Sequence, residues 1–447
     1  MNNITLPHDV LYVLNRLKEN NYSSYVVGGS LRDFFLGKEP SDWDICTNAH
    51  PIRIMQIFSS YNVVPTGINH GTISIVINNN TYEVTTFRKD GDYLDARHPD
   101  SVVFVDNIQE DLSRRDFTIN AMAYNPSSGL IDLFGGLKDI ENKIIRCVGD
   151  PEIRFNEDAL RMMRSIRFSA QLNFSIHPDT FSAILDNNEL IHHVSNERIR
   201  DEINKILLSD QPEKIKDLYM SGLLKYIIPE LSLCFGFDQR NPHHIYDVGD
   251  HLIETSKYVP RKLYLRIAAL LHDVGKPETI ILDENGIGHF RRHEDVSELL
   301  ATEILRNLKY DNTTISTVSK LILYHMWAIP TTKKSMRKLL NKIGEASIKD
   351  WFVIKVADAR ARNFKSYRDV SNRISKAQNI LREVLQEEDC FSLKDLAING
   401  EDLKSLGYKQ GKIMGDILED CLNLVIEDES KNNKEFLFDY IKEKEYI

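Results

Sequence analysis

The sequence has few of the features that mark secreted, membrane or disulfide-stapled proteins. Its 447 residues include five cysteines, which lie far apart without a C-x-x-C pair, so no disulfide framework is expected. No apolar run reaches the roughly 18 residues of a membrane-spanning helix. Residues 1–20 are amphipathic and lack the apolar core of a signal peptide. These absences predict a soluble protein of the reducing cytoplasm, without a membrane partner.

Positive charge is also scarce over the chain as a whole. Lysine and arginine number 56 against 66 aspartates and glutamates, a net charge of −10. This balance excludes a uniformly basic nucleic-acid binder, but local basic patches remain compatible with it. The densest basic stretch is 355–376, with seven lysines and arginines against two aspartates. It is either a solvated helix face or a binding surface.

The distribution of patterns along the chain predicts an α+β protein. Residues 21–145 contain several β-branched, alternating segments separated by glycine and asparagine turns, with two short helical stretches between them. After Pro151 nearly all the periodicity is helical. We therefore expect a small α/β head with a mixed sheet, followed by a long all-α body.

The head contains a candidate phosphate and metal site. Gly28 and Gly29 lie between a predicted strand and a predicted helix, where a missing side chain allows backbone to approach a phosphate. Asp42 and Asp44 alternate on the next predicted strand and would share a face about 7 Å apart. Two carboxylates at that spacing can hold Mg²⁺. Taken alone, a D-x-D triplet is more often an exposed turn, and the order of the three features favours the metal site.

Three segments together resemble one known family. GGSLRDFFLG followed by DWDICTNAHP, then RRDFTINAMAYN (114–125) and DPEIRFNEDALRMMRSIRF (150–168), are similar to the signature of class II tRNA nucleotidyltransferases and bacterial poly(A) polymerases, in the polymerase-β-like superfamily. The resemblance implies template-independent addition of the 3′-terminal CCA of tRNA from CTP and ATP, with Mg²⁺. It implies tRNA, held at its 3′ end and elbow, as the macromolecular partner and gives no sign of an obligate protein partner.

The resemblance also implies roles for particular residues. Gly29 and Arg32 would contact the nucleotide, Asp42 and Asp44 would bind Mg²⁺, and Arg115 would reach the triphosphate. Glu83, on the predicted strand TYEVTTF, is a candidate third carboxylate of the metal site, and an ordinary surface charge is the equal alternative.

Selection of the base is predicted to depend on Asp158 and Arg161, three residues apart on one predicted helix. A carboxylate accepts from an exocyclic amino group and a guanidinium donates to a ring acceptor, a pattern that cytosine and adenine satisfy but guanine and uracil do not. The resemblance assigns the pair this role. Its pattern also includes Arg164 and Arg167, whereas ideal helix rotation supports Arg164 better than Arg167.

The segment 86–104 bears on which member of the family this is. It is polar, contains Gly91 and Pro99, and is similar to the flexible loop needed to change from C to A addition. Its presence favours full CCA addition. An A-adding enzyme or a poly(A) polymerase stays an alternative, because the core motifs are shared.

A second, independent set of residues lies in the helical body. His251, the adjacent His272 and Asp273, then His293, His325 and Asp358 form a series that resembles the HD phosphohydrolase superfamily. We expect His251, His272, Asp273 and Asp358 to bind a transition metal such as Mn, Ni, Fe or Zn. His243 and His244 compete with His251 for the first position. The alternatives are packed histidines without metal, or a phosphohydrolase acting on RNA-end phosphates as the main activity of the chain.

The expected organisation has four parts. They are a catalytic head over 1–145, a helical neck with the nucleotide-reading motif and RNA-binding helices over 146–235, an HD domain over 236–375 and a tRNA-binding helical tail over 376–447. Residues 396–425 resemble the tail of HD-bearing members of the family, where Gly407, Gly411 and Gly415 would surround a turn between helices. Simple packing of two helices explains those glycines equally well.

Overall fold

The computed structural model describes residues 4–90, 102–241, 245–444 and 446. The chain forms two compact units, residues 1–229 and 230–447, and each is described by itself. Among the described residues, no helix combines the length and apolarity needed to cross a membrane.

The first unit begins with a helix and a seven-stranded mixed sheet. The strands run in the order β3-β4-β5-β2-β1-β8-β9. Only β2 and β5 pair in parallel, and the other neighbours are antiparallel. The strands of the head are β1 Ser24–Val27, β2 Asp44–Thr47, β3 Asn62–Gly67, β4 Thr72–Ile77, β5 Asn80–Thr86, β6 Arg88–Asp90, β7 Val102–Phe104, β8 Met122–Asn125 and β9 Gly129–Asp132.

Among the described residues, five helices accompany this sheet, and the first three lie where the sequence predicted them. They are α1 His8–Glu19, α2 Gly29–Phe35, α3 Pro51–Ile57, α4 Ile108–Ser113 and α5 Gly136–Asn142. The segment 86–104 was expected to be a loop with a strand-like end, and residues 88–90 and 102–104 pair as the ribbon β6–β7. Residues 91–101, the middle of that segment, lie outside the described part of the chain.

The rest of the first unit is helical, with one small parallel pair, β10 Ile144–Ile145 and β11 Ser175–Ile176. The helices are α6 Pro151–Glu157, α7 Leu160–Leu172, α8 Pro178–Asn187, α9 Asn196–Leu207, α10 Ile215–Met220, α11 Leu224–Ile227 and α12 Pro229–Ser232, the last reaching into the second unit. The expectation that Asp158 and Arg161 share one helix is wrong: Asp158 has extended backbone angles and ends α6, whereas Arg161 lies on α7. Asp150 caps the start of α6 by accepting from the Glu152 N–H.

The second unit is helical apart from the hairpin β12 Ile280–Leu282 and β13 Gly288–Phe290. Its helices are α13 Val248–Tyr258, α14 Leu263–Leu271, α15 Lys276–Thr279, α16 His293–Asn307, α17 Asn312–Leu323, α18 Lys333–Ile343, α19 Glu345–Arg362, α20 Phe364–Gln386, α21 Gly400–Ser405, α22 Lys412–Glu427 and α23 Lys434–Lys444. Helices α13, α14, α17 and α19 pack against one another and enclose polar side chains. The predicted α+β class, a mixed-sheet head followed by a helical body, is confirmed.

The C-terminal helices α21, α22 and α23 surround a separate apolar cluster that includes Leu403, Ile417 and Leu437. Gly407 and Gly411 lie in the connection between α21 and α22, as expected. Gly415, expected in the same turn, lies inside α22.

Candidate active site and metal centre

The Gly28–Gly29 turn lines a cavity of about 540 Å³ in the first unit. Gly28 has φ +78°, and a Cβ atom there would lie 3.2 Å from Nη1 of Arg115. Glycine is therefore required both by the backbone and by the approach of an arginine. The second motif of the sequence therefore lies close to the first in the fold.

All nine residues expected to act in nucleotide transfer line this one cavity. They are Gly29, Arg32, Asp42, Asp44, Arg115, Asp158, Arg161, Arg164 and Arg167. Seven arginines and five aspartates line its wall, so its charge is positive although the chain is acidic. A triphosphate with bound cations is the kind of ligand that such a mixed lining accommodates.

The two carboxylates Asp42 and Asp44 lie at the start of β2, a strand in the middle of the sheet. Asp44 is the first residue of β2, and Asp42 precedes that strand rather than lying on it. Burial, followed by the charges of Asp42 and Glu83, raises the pKa of Asp44 to about 6, while Arg115 opposes the shift. Glu83 is close because Ile45 pairs with Val84 in the parallel ladder between β2 and β5. Three mutually repelling carboxylates are a donor set that fits a divalent cation such as Mg²⁺.

Arginines on the cavity wall are held in place by carboxylates. Asp111 is buried and accepts from Arg114 at 2.7 Å and Arg115 at 3.3 Å. Burial alone would raise the pKa of Asp111, but the two guanidiniums lower it. Asp116 holds Arg164 through bonds of 2.9 and 2.6 Å. The orientation of these arginines is thus set before a ligand binds.

Three of the predicted arginines lie around one aromatic ring. The Cζ atoms of Arg32, Arg164 and Arg167 lie 5.2, 5.5 and 3.8 Å from the centroid of the Phe168 ring. Arg167 also bonds to Glu202 at 2.5 Å. Helix rotation measured from Asp158 had placed Arg167 on the far side, but Asp158 is not on α7, so that rotation does not apply.

The expected base-reading pair is arranged differently from a helical i, i+3 pair. Asp158 accepts from Arg198 of α9 at 2.8 and 3.3 Å. Arg161 donates to Glu157 and to the carbonyl oxygens of Arg154 and Arg114, at 3.1 and 3.0 Å for the carbonyls. Both side chains still face the cavity.

Among the cavity residues that sequence reasoning missed are Arg114, Asp116, Asn120, Phe168 and Arg198. The first four lie inside the quoted motifs and could have been found from them. Arg198 lies on another helix, and only the folded chain brings it to Asp158.

The second unit contains a buried cluster at the expected HD residues. His251, His272, Asp273, His293, His325 and Asp358 are each at most 3% exposed. Asp273 lies at the centre: its Oδ2 is 3.5 Å from His251 Nε2 and 3.3 Å from His272 Nε2. Its Oδ1 is 3.0 Å from His293 Nε2 and 3.3 Å from His325 Nε2. Asp358 Oδ1 is 3.3 Å from His251 Nε2.

The histidines of this cluster are oriented for metal binding. His272, His293 and His325 use Nδ1 to contact the carbonyl oxygens of Ala269, Phe290 and Ile322, at 2.9, 2.7 and 2.7 Å, which turns each Nε2 inward. Nε2 of His272 is buried and has no hydrogen-bond partner.

The protonation state of His325 also suits a metal. Burial lowers the pKa of His325 to about 4, so this imidazole is neutral at pH 7. Two groups of three potential ligands share Asp273: one adds His251 and His272, the other His293 and His325. The donor set therefore fits transition-metal ions. His243 and His244, the alternatives for the first position, lie outside the described residues.

Comparisons with known proteins bear on the first unit most directly. A family model described as a poly A polymerase head domain matches residues 24–146, and one for a probable RNA-binding site of polymerase A matches 173–234. A CCA-adding enzyme of Levilactobacillus brevis is 34% identical, with 94% of each chain covered. The chain belongs to the family of CCA-adding enzymes. A CCA-adding enzyme of Pediococcus pentosaceus is 35% identical, with 95% of this chain and 94% of the relative covered.

Further matches to this family extend over the second unit. A model described as a putative tRNA nucleotidyltransferase domain 2 covers residues 292–441. Among solved structures, a Bacillus stearothermophilus CCA-adding enzyme in complex with CTP superposes with a TM-score of 0.70, at 28% identity and with 99% of each chain covered. The family similarity thus extends over nearly the full length.

Proposed function

We propose that this protein adds the 3′-terminal CCA to tRNA from CTP and ATP without a nucleic-acid template. The observation that carries the proposal is the convergence of all nine expected residues on one cavity. The relatives named CCA-adding enzymes, which cover nearly the whole chain, support CCA addition over poly(A) synthesis. A cytoplasmic location and the absence of an obligate protein partner stay predictions from the sequence.

In this proposal Asp42 and Asp44 hold Mg²⁺, with Glu83 as the third carboxylate. When bound, Mg²⁺ neutralises triphosphate charge and lowers the pKa of the primer 3′ hydroxyl. Arg32 and Arg115, fixed by neighbouring carboxylates, bind the phosphates of the incoming nucleotide. The primer oxygen bonds to the α-phosphorus, the bond from the α-phosphorus to pyrophosphate breaks, and the hydroxyl proton passes to solvent.

The same cavity accounts for the choice of base. Asp158 accepts from the amino group of cytosine or adenine, and Arg161 donates to the adjacent ring nitrogen. Guanine and uracil present a carbonyl oxygen to Asp158 and a ring N–H to Arg161, so neither hydrogen bond forms, which costs free energy in a partly buried site. Arg164 and Arg167 complete the wall beside the base and phosphates.

The test uses the full-length protein and a tRNA transcript that lacks CCA, with CTP and ATP supplied separately and together. We expect two C residues and then one A to be added, and no transfer from the Asp42→Ala, Asp44→Ala double variant. Glu39→Ala, an exposed acidic residue outside the cavity, is the matched control and should transfer normally. Addition of A without C, or equal use of an unstructured RNA primer, would instead establish an A-adding enzyme or a poly(A) polymerase.

We also propose that the buried cluster binds transition metal, with His251, His272, Asp273 and Asp358 as ligands, and that it hydrolyses phosphoesters. The buried, unbonded Nε2 of His272 supports this. In the reaction a water oxygen bonds to phosphorus, the ester P–O bond breaks, and a water proton passes to the leaving oxygen. Metal content of the wild type is compared with the His272→Ala, Asp273→Ala double variant, with the exposed His193→Ala as control. Equal metal content in all three would refute the proposal.

We propose the four-part organisation over 1–145, 146–235, 236–375 and 376–447 as well. The ends of the first two matched family models, residues 146 and 234, lie within one residue of two of these boundaries and support them. In this scheme the neck and the C-terminal tail contact the tRNA. The glycine-containing connection between α21 and α22 offers backbone N–H groups to phosphate.

A further inference from the structure

A second cavity, of about 350 Å³, opens beside Asp358 in the second unit. It lies between the start of α20, the end of α19 and the segment 326–329 that follows α17. Its volume is near the lower end of the range of small-ligand sites, about 300–1,000 Å³. Asp358, a proposed metal ligand, is part of its wall, so a molecule in this cavity lies next to the buried cluster.

The cavity wall carries three basic side chains, Lys355, Arg362 and Arg373, against the two acidic residues Asp358 and Asp369. All three belong to the basic stretch 355–376. Nζ of Lys355 donates to the carbonyl oxygen of His325 at 2.8 Å. Nε of Arg362 donates to Asp358 at 2.9 Å. Two of the cations are thereby anchored at the cluster, where a phosphate would have to lie for its ester to be hydrolysed.

Apolar side chains complete the same cavity and its approach. Trp327 and Met326 line it and are 38% and 46% exposed. Phe364, the first residue of α20, is 77% exposed and lies two residues from the cavity-lining Ser366. The Phe364 ring also lies 6.3 Å from that of Tyr367. Exposed aromatic rings interleaved with basic residues are the pattern on which unpaired bases stack.

We propose that this cavity binds a single-stranded RNA end. One phosphate lies against Lys355, Arg362 and Arg373, its base stacks on Trp327, and the preceding base stacks on Phe364. The inference rests on the proposed hydrolytic function of the adjacent cluster, and it adds the cavity and the residues that hold the RNA end. An end is favoured over internal RNA because the cavity accommodates about one nucleotide.

The test is photo-crosslinking of the full-length protein to a four-nucleotide RNA that carries 4-thiouridine and a 3′ phosphate, with crosslinked peptides mapped by mass spectrometry. We expect crosslinks in the peptides that contain Trp327 or Phe364. Trp327→Ala and Arg373→Gln should each weaken binding of this RNA about tenfold. Trp327→Phe, which keeps a stacking surface, should retain most of it.

Two matched controls come from the same helix. Arg368 and Lys376 are exposed on α20 and do not line the cavity, so Arg368→Gln and Lys376→Gln remove the same charge elsewhere and should change binding by less than about twofold. Equal losses in these controls would reduce the effect to general electrostatics and overturn the proposal. So would crosslinks confined to residues 1–229, or equal crosslinking when the RNA is annealed into a duplex.

The binding test is independent of the proposed catalysis. The crosslinking is run without added metal and measures no reaction product. Crosslinking at Trp327, together with no phosphate release when metal is added in a separate assay, would refute hydrolysis but support the binding site. Phosphate release that is unaffected by Trp327→Ala and Arg373→Gln would support hydrolysis but refute the binding site.

Discussion

Replacing Arg198 with alanine should impair addition of C by releasing Asp158. The two guanidinium bonds to Asp158 measure 2.8 and 3.3 Å, and the side chains of Arg198 and Asp158 are 26% and 18% exposed. A hydrogen bond to a charged group contributes about 1.5–3 kcal/mol when buried, and partial exposure brings that down to about 1–2 kcal/mol. Since each 1.36 kcal/mol is tenfold in rate, kcat/KM for CTP should fall about 5- to 30-fold.

The assay is single-turnover incorporation from CTP and, separately, from UTP onto tRNA that lacks CCA. Because Asp158 is expected to select the amino group of cytosine, Arg198→Ala should lower the rate with CTP more than the rate with UTP. Arg200→Ala removes an arginine of the same helix that pairs with Asp201 and does not line the cavity, and it serves as the control. Unchanged discrimination in Arg198→Ala, or an equal loss in Arg200→Ala, would refute a positioning role for Arg198.

Two further variants test how the cavity is held together. Asp116 is buried beside Arg164, and although burial opposes it, the guanidinium lowers the pKa of this carboxyl to about 2, below its ordinary 3.8. Asp116→Asn should therefore lower the free energy of unfolding at pH 7 by about 2 kcal/mol, measured by thermal denaturation. The difference in stability between variant and wild type should narrow as the pH falls from about 4 towards 2. A constant difference across that range would contradict the pairing of Asp116 with Arg164. Gly28→Ala should slow nucleotide transfer more than Gly37→Ala. Both glycines have positive φ, but only at Gly28 would the added Cβ atom lie against Arg115. Equal transfer rates in the two variants would contradict the close approach of Arg115 to Gly28.

Local patterns predicted most secondary structure of the head, because each strand is short and bounded by turn residues. The expected strand around Ile45 and the helix after Gly28 are both present. The failures have physical causes. Asp158 adopts extended angles and ends α6, which the helical periodicity of the sequence around it cannot reveal. The rotation argument against Arg167 failed for that same reason.

The candidate sites show a similar division. The order of the three motifs was enough to predict that Asp44, Arg115 and Arg161 lie in one cavity, since each motif supplies part of the cavity lining. Arg198 could not be assigned, because its partner Asp158 lies 40 residues earlier and only the packing of α7 against α9 brings them together. In the second unit, the spacing of the histidines suggested a cluster, but the central place of Asp273 between two groups of ligands comes from the fold alone.

The acidic balance of the chain acquires a structural explanation from these contacts. In the first unit, each of the seven arginines that line the cavity beside Gly28 and Gly29 has a carboxylate partner that fixes the direction of the guanidinium. The pairs are Arg32–Asp33, Arg114–Asp111, Arg115–Asp111, Arg161–Glu157, Arg164–Asp116, Arg167–Glu202 and Arg198–Asp158. A cavity that binds triphosphate needs oriented donors more than it needs raw positive charge, since flexible cations lose entropy when they are ordered by the ligand. Each partner that supplies this order also removes one positive charge, so a net charge of −10 is compatible with strong local binding of phosphate.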